Sequence, residues 1–364
     1  MEFGLSEDQR LMQDSVNRTL EKVSALERVR KAADAREARA QDIWLALVEL
    51  GVPGMLIGEE HGGMGLKLLD AALVAEALGR HVAPVPFIAS TVMAPLAIMS
   101  AGAARQQETW LPKLASGEAV AGVAISERAA GAREGGGVTA SEGKLSGKAL
   151  FVLDFGAADV FIVADKAGGL HLVDAGARGL TRVQLTTIDL TRSIGELQFD
   201  NVAAEPLASG DGKLAFRRML DAGRVMLAAD TLGAGWMMID KAVAYAKERK
   251  QFGRVIGSFQ AVKHMCAEMA AELEPGRSLV WYAAHAFDEL PDEAPLMAAH
   301  AKAHLSEVGR FVARTATEVH GGMGFTDLLG LHYWFKRIGL DRQLLGSPER
   351  VRHEAAVMQG WAAD

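Results

Sequence analysis

The stretch Tyr245-Ala-Lys-Glu-Arg-Lys-Gln-Phe-Gly-Arg-Val-Ile-Gly-Ser-Phe-Gln260 holds the densest concentration of groups suited to binding an anionic ligand. Guanidinium forks match phosphate oxygens, and an aromatic ring offers a planar base a stacking face. Taken alone, Lys247, Glu248, Arg249 and Lys250 are also how a helix finishes, with cations at its negative end and Gly253 as the stop. The pentapeptide His-Gly-Gly-Met-Gly occurs twice, at His61 to Gly65 and His320 to Gly324, with different flanks and no sustained period. Each copy reads as a tight turn, not as an internal repeat. His300 and His304 stand four apart in a helical pattern without a third ligand, so no metal is expected. The single cysteine, Cys266, lies in an apolar run and is expected to pack.

The 364 residues are 49% hydrophobic and 23% charged, enough for a sizeable core shared by two or three sub-domains. A net charge of -7 makes a nucleic-acid footprint implausible, and any anionic ligand must be held by local basic clusters. No apolar run is long enough to span a bilayer, and the start Met1-Glu-Phe-Gly-Leu-Ser lacks the basic and apolar regions of a signal peptide. A cytoplasmic location, without membrane partners, is the expectation.

Ser6 and Gln9 have capping-box spacing, and Met12, Val16, Leu20 and Val23 then recur on one helical face. After a polar Arg/Ala-rich segment, Ile43, Leu47 and Leu50 predict a second helix ending at Gly51. The glycine-rich turn at Glu60 to Gly65 leads to a third helix through Leu69, Leu73 and Ala77, with Gly79 as its expected stop, and a fourth is expected from Ile88 to Ser100. Short β-branched runs then follow at 123–126, 150–153, 160–164, 170–173, 182–185 and 194–199. From about Gly212 the chain reads as helical again, with Pro275, Pro291, Pro295 and Pro348 as interruptions. Strands segregated between helices indicate an α+β class, and no Rossmann fingerprint is present. The expected domains are an N-terminal helical domain over 1–118, a small antiparallel β domain over 119–211 and a helical domain over 212–364.

The order Arg249-Lys-Gln-Phe-Gly253 followed by Gln260 resembles the Arg-Lys-x-Phe-Gly…Gln segment of the acyl-CoA dehydrogenase flavoproteins. Glu318-Val-His-Gly-Gly-Met-Gly-Phe325 resembles that family's Gln-x-x-Gly-Gly-x-Gly-Phe segment. Further motifs keep the family's order over the whole chain: Leu5 to Arg10, Glu59 to Gly65, Ala124 to Glu127, Leu145 to Lys148 and Phe199 to Val202. The resemblance implies a C-terminal four-helix bundle assembling as a dimer of dimers and FAD as cofactor. It also implies α,β-dehydrogenation of an acyl-CoA, with an acceptor such as an electron-transfer flavoprotein. It assigns Arg249, Gln251, Phe252, Gln260, Glu318, Gly321 and Gly322 to the tail of a neighbour's FAD, Ser126 to cofactor binding and Arg224 to the acyl-CoA site, although a structural ion pair suits Arg224 nearly as well.

The departures from the family pattern fall on the chemistry. Abstraction of an α-proton needs a positioned base, which the family supplies as Glu in one of two places. Here Leu345 and Gly223 occupy them, and Asp221 is the remaining candidate for a displaced base. Ala132 and Arg133 replace a Ser-Asp pair, and Phe151 to Leu153 replace a Trp-Ile-Thr strand. This pattern suggests the non-catalytic partner in a heterotetramer with a related chain that acts on a bulky acyl-CoA, such as one with a steroid side chain. A self-sufficient homo-oligomer using Asp221 and a flavin-free scaffold are the alternatives.

Overall fold

The computed structural model describes residues 4–131 and 134–363. The N-terminal helices are α1 (Glu7–Val23), α2 (Leu26–Ala35), α3 (Gln41–Glu49), α4 (Leu68–Arg80), α5 (Ala94–Ala101) and α6 (Ala104–Ala115). The capping box forms as expected: Gln9 N donates to Ser6 Oγ at 3.1 Å and Ser6 N to Gln9 Oε1 at 3.0 Å. Val16 and Leu20 are buried, with Met12 and Val23 half-buried beside them. The fourth helix opens with a π-helical segment, Ile88–Met93, that runs directly into α5.

Two expectations fail in this region. Helix α2 was not expected: only its last four residues fall within 32–41, the segment read as polar, and Val29, Ala32 and Ala33 supply its short buried stripe. Gly79 does not stop α4, which continues to Arg80. A Cβ at Gly79 would fall on the Asp230 carbonyl, and one at Gly233 on the Glu76 carbonyl, so these glycines let two helix backbones touch.

The central layer holds β1 (Ala121–Ala124), α7 (Ser126–Ala130), β2 (Gly137–Ser141), β3 (Lys144–Leu153), β4 (Val160–Ala164), β5 (Leu170–Asp174), β6 (Leu180–Gln184), β7 (Ile194–Ala203) and β8 (Glu205–Pro206). The sheet order is β6-β7-β3-β1-β4-β5-β8, with β2 on β3. It is not purely antiparallel as expected: β3 runs antiparallel to β1 on one side, and the chain then crosses to the other side of β1, where β4 pairs with it in parallel. Strand β3 starts six residues before the apolar run that predicted it, since Lys144 to Lys148 pair through backbone and bury only Leu145 among mostly polar or small residues.

The C-terminal helices are α8 (Gly212–Glu248), α9 (Gln260–Glu289), α10 (Ala294–His320), α11 (Leu331–Asp341) and α12 (Pro348–Met358). Asp211 caps α8 by accepting from Lys213 N at 2.9 Å and Leu214 N at 3.1 Å. Helix α8 is buried on nearly all sides through its middle, which makes it the central member of the bundle. Pro275 does not interrupt α9, whereas Pro295 and Pro348 sit in the first turns of their helices, where the missing N–H costs nothing. The helix before Gly253 stops earlier than expected, at Glu248. It gives way to a minimal hairpin of β9 (Lys250–Gln251) and β10 (Arg254–Val255). Its turn residues, Phe252 and Gly253, both have positive φ, +52° and +75°.

A buried ionic network joins the sheet to the bundle. Arg192, from the β6–β7 connection, lies 3.0 Å from Asp230 on α8 and 2.9 Å from Asp341 on α11, and Arg337 on α11 lies 2.7 Å from Asp230. Removing one member would strand a buried charge, so the network fixes how the sheet meets α11.

Candidate active site

Where α7, β3, the β6–β7 connection and the end of α11 converge, they enclose a cavity of about 290 Å³. Ser126, Phe151, Ile188, Gln343, Leu344 and Leu345 are among its lining residues. Two of them hold left-handed backbone although they are not glycine: Phe151 at φ +52° and Leu345 at φ +57°. Such a conformation costs on the order of 1–2 kcal/mol per residue. It persists where the surroundings over-determine it. At Phe151 the cause is a bulge in the β3–β7 ladder between Ala149 and Val152. Ser126 Oγ donates to the Phe151 carbonyl at 3.0 Å, so this hydroxyl braces the bulge.

The chain at Leu345 is held by Arg224, and the end of α11 just before it by Lys302, both buried. Arg224 on α8 donates from Nε to the Leu345 carbonyl at 3.0 Å and keeps Nη1 2.7 Å from Glu354 on α12. Lys302 on α10 donates from Nζ to the carbonyls of Asp341 at 2.8 Å and Arg342 at 3.0 Å, and to Ser306 Oγ at 3.1 Å. Burial pushes the Lys302 ammonium down to about 7. Arg224, singled out for substrate binding, does not line the cavity; its fork is turned to the protein as a clamp on the turn.

The two positions where the resemblance expects a base meet in space. A Cβ built on Gly223 would lie 2.7 Å from Leu345 Cδ1 and 2.8 Å from Met93 Sδ. Leu345 and Met93 therefore occupy the volume that a side chain at 223 would need, and no carboxylate stands at either position. Asp221 is buried on α8 and accepts from Arg217 Nε at 2.9 Å, while its Oδ1 has no hydrogen-bond partner among the described residues. Burial raises its carboxyl to about 6, but Asp221 is not among the cavity's lining residues. Sequence reasoning overlooked Glu127, which does line the cavity and accepts the Leu150 amide at 2.5 Å on Oε1. Its signal was present in the retained Ser126-Glu127 pair. Ala132 and Arg133 lie outside the described residues.

The residues assigned to a neighbour's cofactor tail gather elsewhere, at the ends of α8 and α10. Arg249, Gln251, Phe252, Gln260 and Glu318 are exposed, Phe252 to 91%. Phe252 meets Phe259 edge-on with ring centroids 6.1 Å apart, and the Arg254 guanidinium lies 4.0 Å over the Phe259 ring. Gly321 has φ +58°, and a Cβ added at Gly321 or Gly322 would meet nothing within 4 Å, leaving that backbone open to close approach. Open glycine backbone, the Arg249 guanidinium, which has no hydrogen-bond or ion-pair partner among the described residues, and exposed aromatic rings fit the diphosphate and adenosine of an FAD. Among the described residues no group of three or more His, Cys, Asp or Glu is placed to hold a metal ion. No helix among them is long and apolar enough to cross a membrane.

Fold and site define a flavin-dependent dehydrogenase architecture, and the chain belongs to the acyl-CoA dehydrogenase family. The family's N-terminal domain model matches residues 6–118 and its C-terminal domain model residues 210–356. The chain is 30% identical over 350 residues to acyl-CoA dehydrogenase IpdE2 of Mycolicibacterium smegmatis, covering 96% of this chain and 98% of that one. Among solved structures it is similar to the Tcur3481-Tcur3483 steroid ACAD G363A variant, with TM-score 0.87 and 30% identity over 97% of this chain and 98% of that one. The ChsE4-ChsE5 complex from Mycobacterium tuberculosis superposes with TM-score 0.90 at 25% identity, covering both chains fully (100% and 100%).

Proposed function

We propose that this chain is the base-less subunit of a heteromeric acyl-CoA dehydrogenase, contributing the tail site for an FAD whose reactive ring lies in a related partner chain. The observation that carries this reading is the mutual occupation of the two base positions. Leu345 fills the space at Gly223, neither residue carries a carboxylate, and the tail residues stay exposed. Two relatives described as complexes or chain pairs, the Tcur3481-Tcur3483 and ChsE4-ChsE5 structures, support a heteromeric assembly, and the first supports a steroid-like acyl group.

Bound FAD supplies the hydride acceptor for α,β-dehydrogenation of the thioester, with electrons passing onward to an acceptor such as an electron-transfer flavoprotein. The residues of this chain have binding roles. Arg249 is suited to pairing with diphosphate oxygens, Gly321 and Gly322 to bringing backbone N–H groups near them, and Phe252 to stacking on adenine. The Arg224 and Lys302 clamp holds Leu345 over Gly223, excluding water and acyl groups from that volume. Gln343 and Thr187 give the cavity polar edges against its apolar walls.

The test is native mass and visible flavin spectrum of the chain purified alone and then co-expressed with its nearest encoded relative. A colourless single chain that becomes a yellow tetramer with about half-stoichiometric FAD is the expected outcome, because each dead pocket removes one site. A yellow homotetramer with one FAD per chain, active on an acyl-CoA, would refute the reading and turn attention to Glu127 and Asp221.

A further inference from the structure

The two tail segments lie 72 residues apart in sequence, from Arg249 to Gly321, at the ends of different helices. Among the described residues no hydrogen bond joins residues 249–260 to residues 318–325. A diphosphate held by a guanidinium on one side and glycine backbone on the other needs their spacing fixed closely, since positioning errors near 1 Å already cost binding and catalysis heavily.

Helices α8 and α10 pack against each other along their length, and among the described residues one aromatic contact joins the ends that carry the two segments. The Tyr245 and His320 rings have centroids 4.7 Å apart with an interplanar angle of 31°. Each ring is one step from a gripping element. Tyr245 O accepts the Arg249 amide at 2.8 Å, so Tyr245 sits one helical turn behind the guanidinium. His320 immediately precedes Gly321 and is buried, 4% exposed. Its Nδ1 lies 2.7 Å from the Ala316 carbonyl, which can only accept, so Nδ1 carries the hydrogen and the ring plane is fixed by its own helix. The imidazole is thus held from behind and presents its face to Tyr245.

We propose that Tyr245 and His320 are positioning residues that set the distance between the guanidinium and glycine halves of the FAD tail site. The proposal rests on the tail-site reading above. Neither ring needs to touch the cofactor; each acts through the segment it carries.

The experiment titrates FAD into the apo form of the full-length chain in its native assembly, with Arg249→Ala, His320→Asn, His320→Phe and Tyr245→Leu variants and a melting curve for each. His320→Asn keeps a donor for the Ala316 carbonyl but loses the ring, and His320→Phe keeps the ring. An aromatic pair is worth enough for about a three- to tenfold change in Kd. The expected result is weakening of that size in His320→Asn and Tyr245→Leu, recovery to within about twofold in His320→Phe, and a larger loss in Arg249→Ala. Should Arg249→Ala bind FAD as the parent does, the tail-site reading itself fails. Loss in Arg249→Ala with parental affinity in both His320→Asn and Tyr245→Leu overturns only the positioning pair, as does a His320→Phe variant no better than His320→Asn. If His320→Asn does not fold, Tyr245→Leu and His320→Phe decide alone.

Discussion

If Gly223 and Leu345 compete for one volume, substitutions at the two positions must be strongly non-additive. Gly223→Ala adds a Cβ that would sit 2.7 Å from Leu345 Cδ1 and 2.8 Å from Met93 Sδ. Neither neighbour can retreat freely: Leu345 is 1% exposed with its carbonyl clamped by Arg224, and Met93 is fully buried. Overpacking of this kind costs about 1–3 kcal/mol. Replacing glycine by alanine inside a helix returns about 1 kcal/mol. The net destabilisation is therefore up to about 2 kcal/mol. Leu345→Ala alone empties a buried site at about 2–5 kcal/mol. In that background the space vacated by Leu345 gives the Met93 thioether room to move aside from the added methyl at 223, so Gly223→Ala becomes neutral or stabilising. The expected coupling is about 1–2 kcal/mol, against roughly 0.3–0.5 kcal/mol for independent sites. The assay is a double-mutant cycle of urea denaturation followed by tryptophan fluorescence. Additivity within that smaller range would refute the shared volume, and with it the argument that position 223 has no room for a side chain while Leu345 is in place.

Two further predictions concern buried charges. The Lys302 ammonium is held near 7 by burial, below its unfolded value of about 10.4, so across that window the unfolded chain binds a proton that the folded chain has released. Stability should then rise with pH between about 7 and 10, by up to about 1.4 kcal/mol per unit, and be insensitive to this group below 7. Lys302→Met should abolish the slope, and parallel pH profiles for the two proteins would show that Lys302 is not the source. Asp221 has the opposite sense. Its folded value of about 6 exceeds the unfolded value of about 3.9, so its contribution is fully present below 4 and lost as pH rises through 6. Asp221→Asn should gain on the parent by a few kcal/mol at most between pH 4 and pH 7 in thermal melts. An unchanged difference at the two pH values would contradict a buried, desolvated carboxyl.

What the amino-acid sequence determined by itself was local. Ser6 with Gln9 announced the first cap, β-branched runs announced β4, β5 and β7, and composition alone placed the cation and aromatic cluster around Arg249. The absence of Glu at 223 and 345 was also legible, since it is a matter of residue identity at a motif position. Period-based reading failed where packing overrode propensity: Pro275 stays inside α9, and Gly79 serves a helix contact instead of a stop. Only the tertiary structure decided that Leu345, Met93 and Gly223 share one volume, that Arg224 clamps a turn instead of lining the cavity, and that Glu127 reaches it. Tyr245 and His320 carry no signal of partnership 75 residues apart, yet their rings stack at 4.7 Å. Helical period, strand alternation and caps are short-range physics, readable within a few residues. Steric exclusion and burial of charge depend on which distant segments fold against one another.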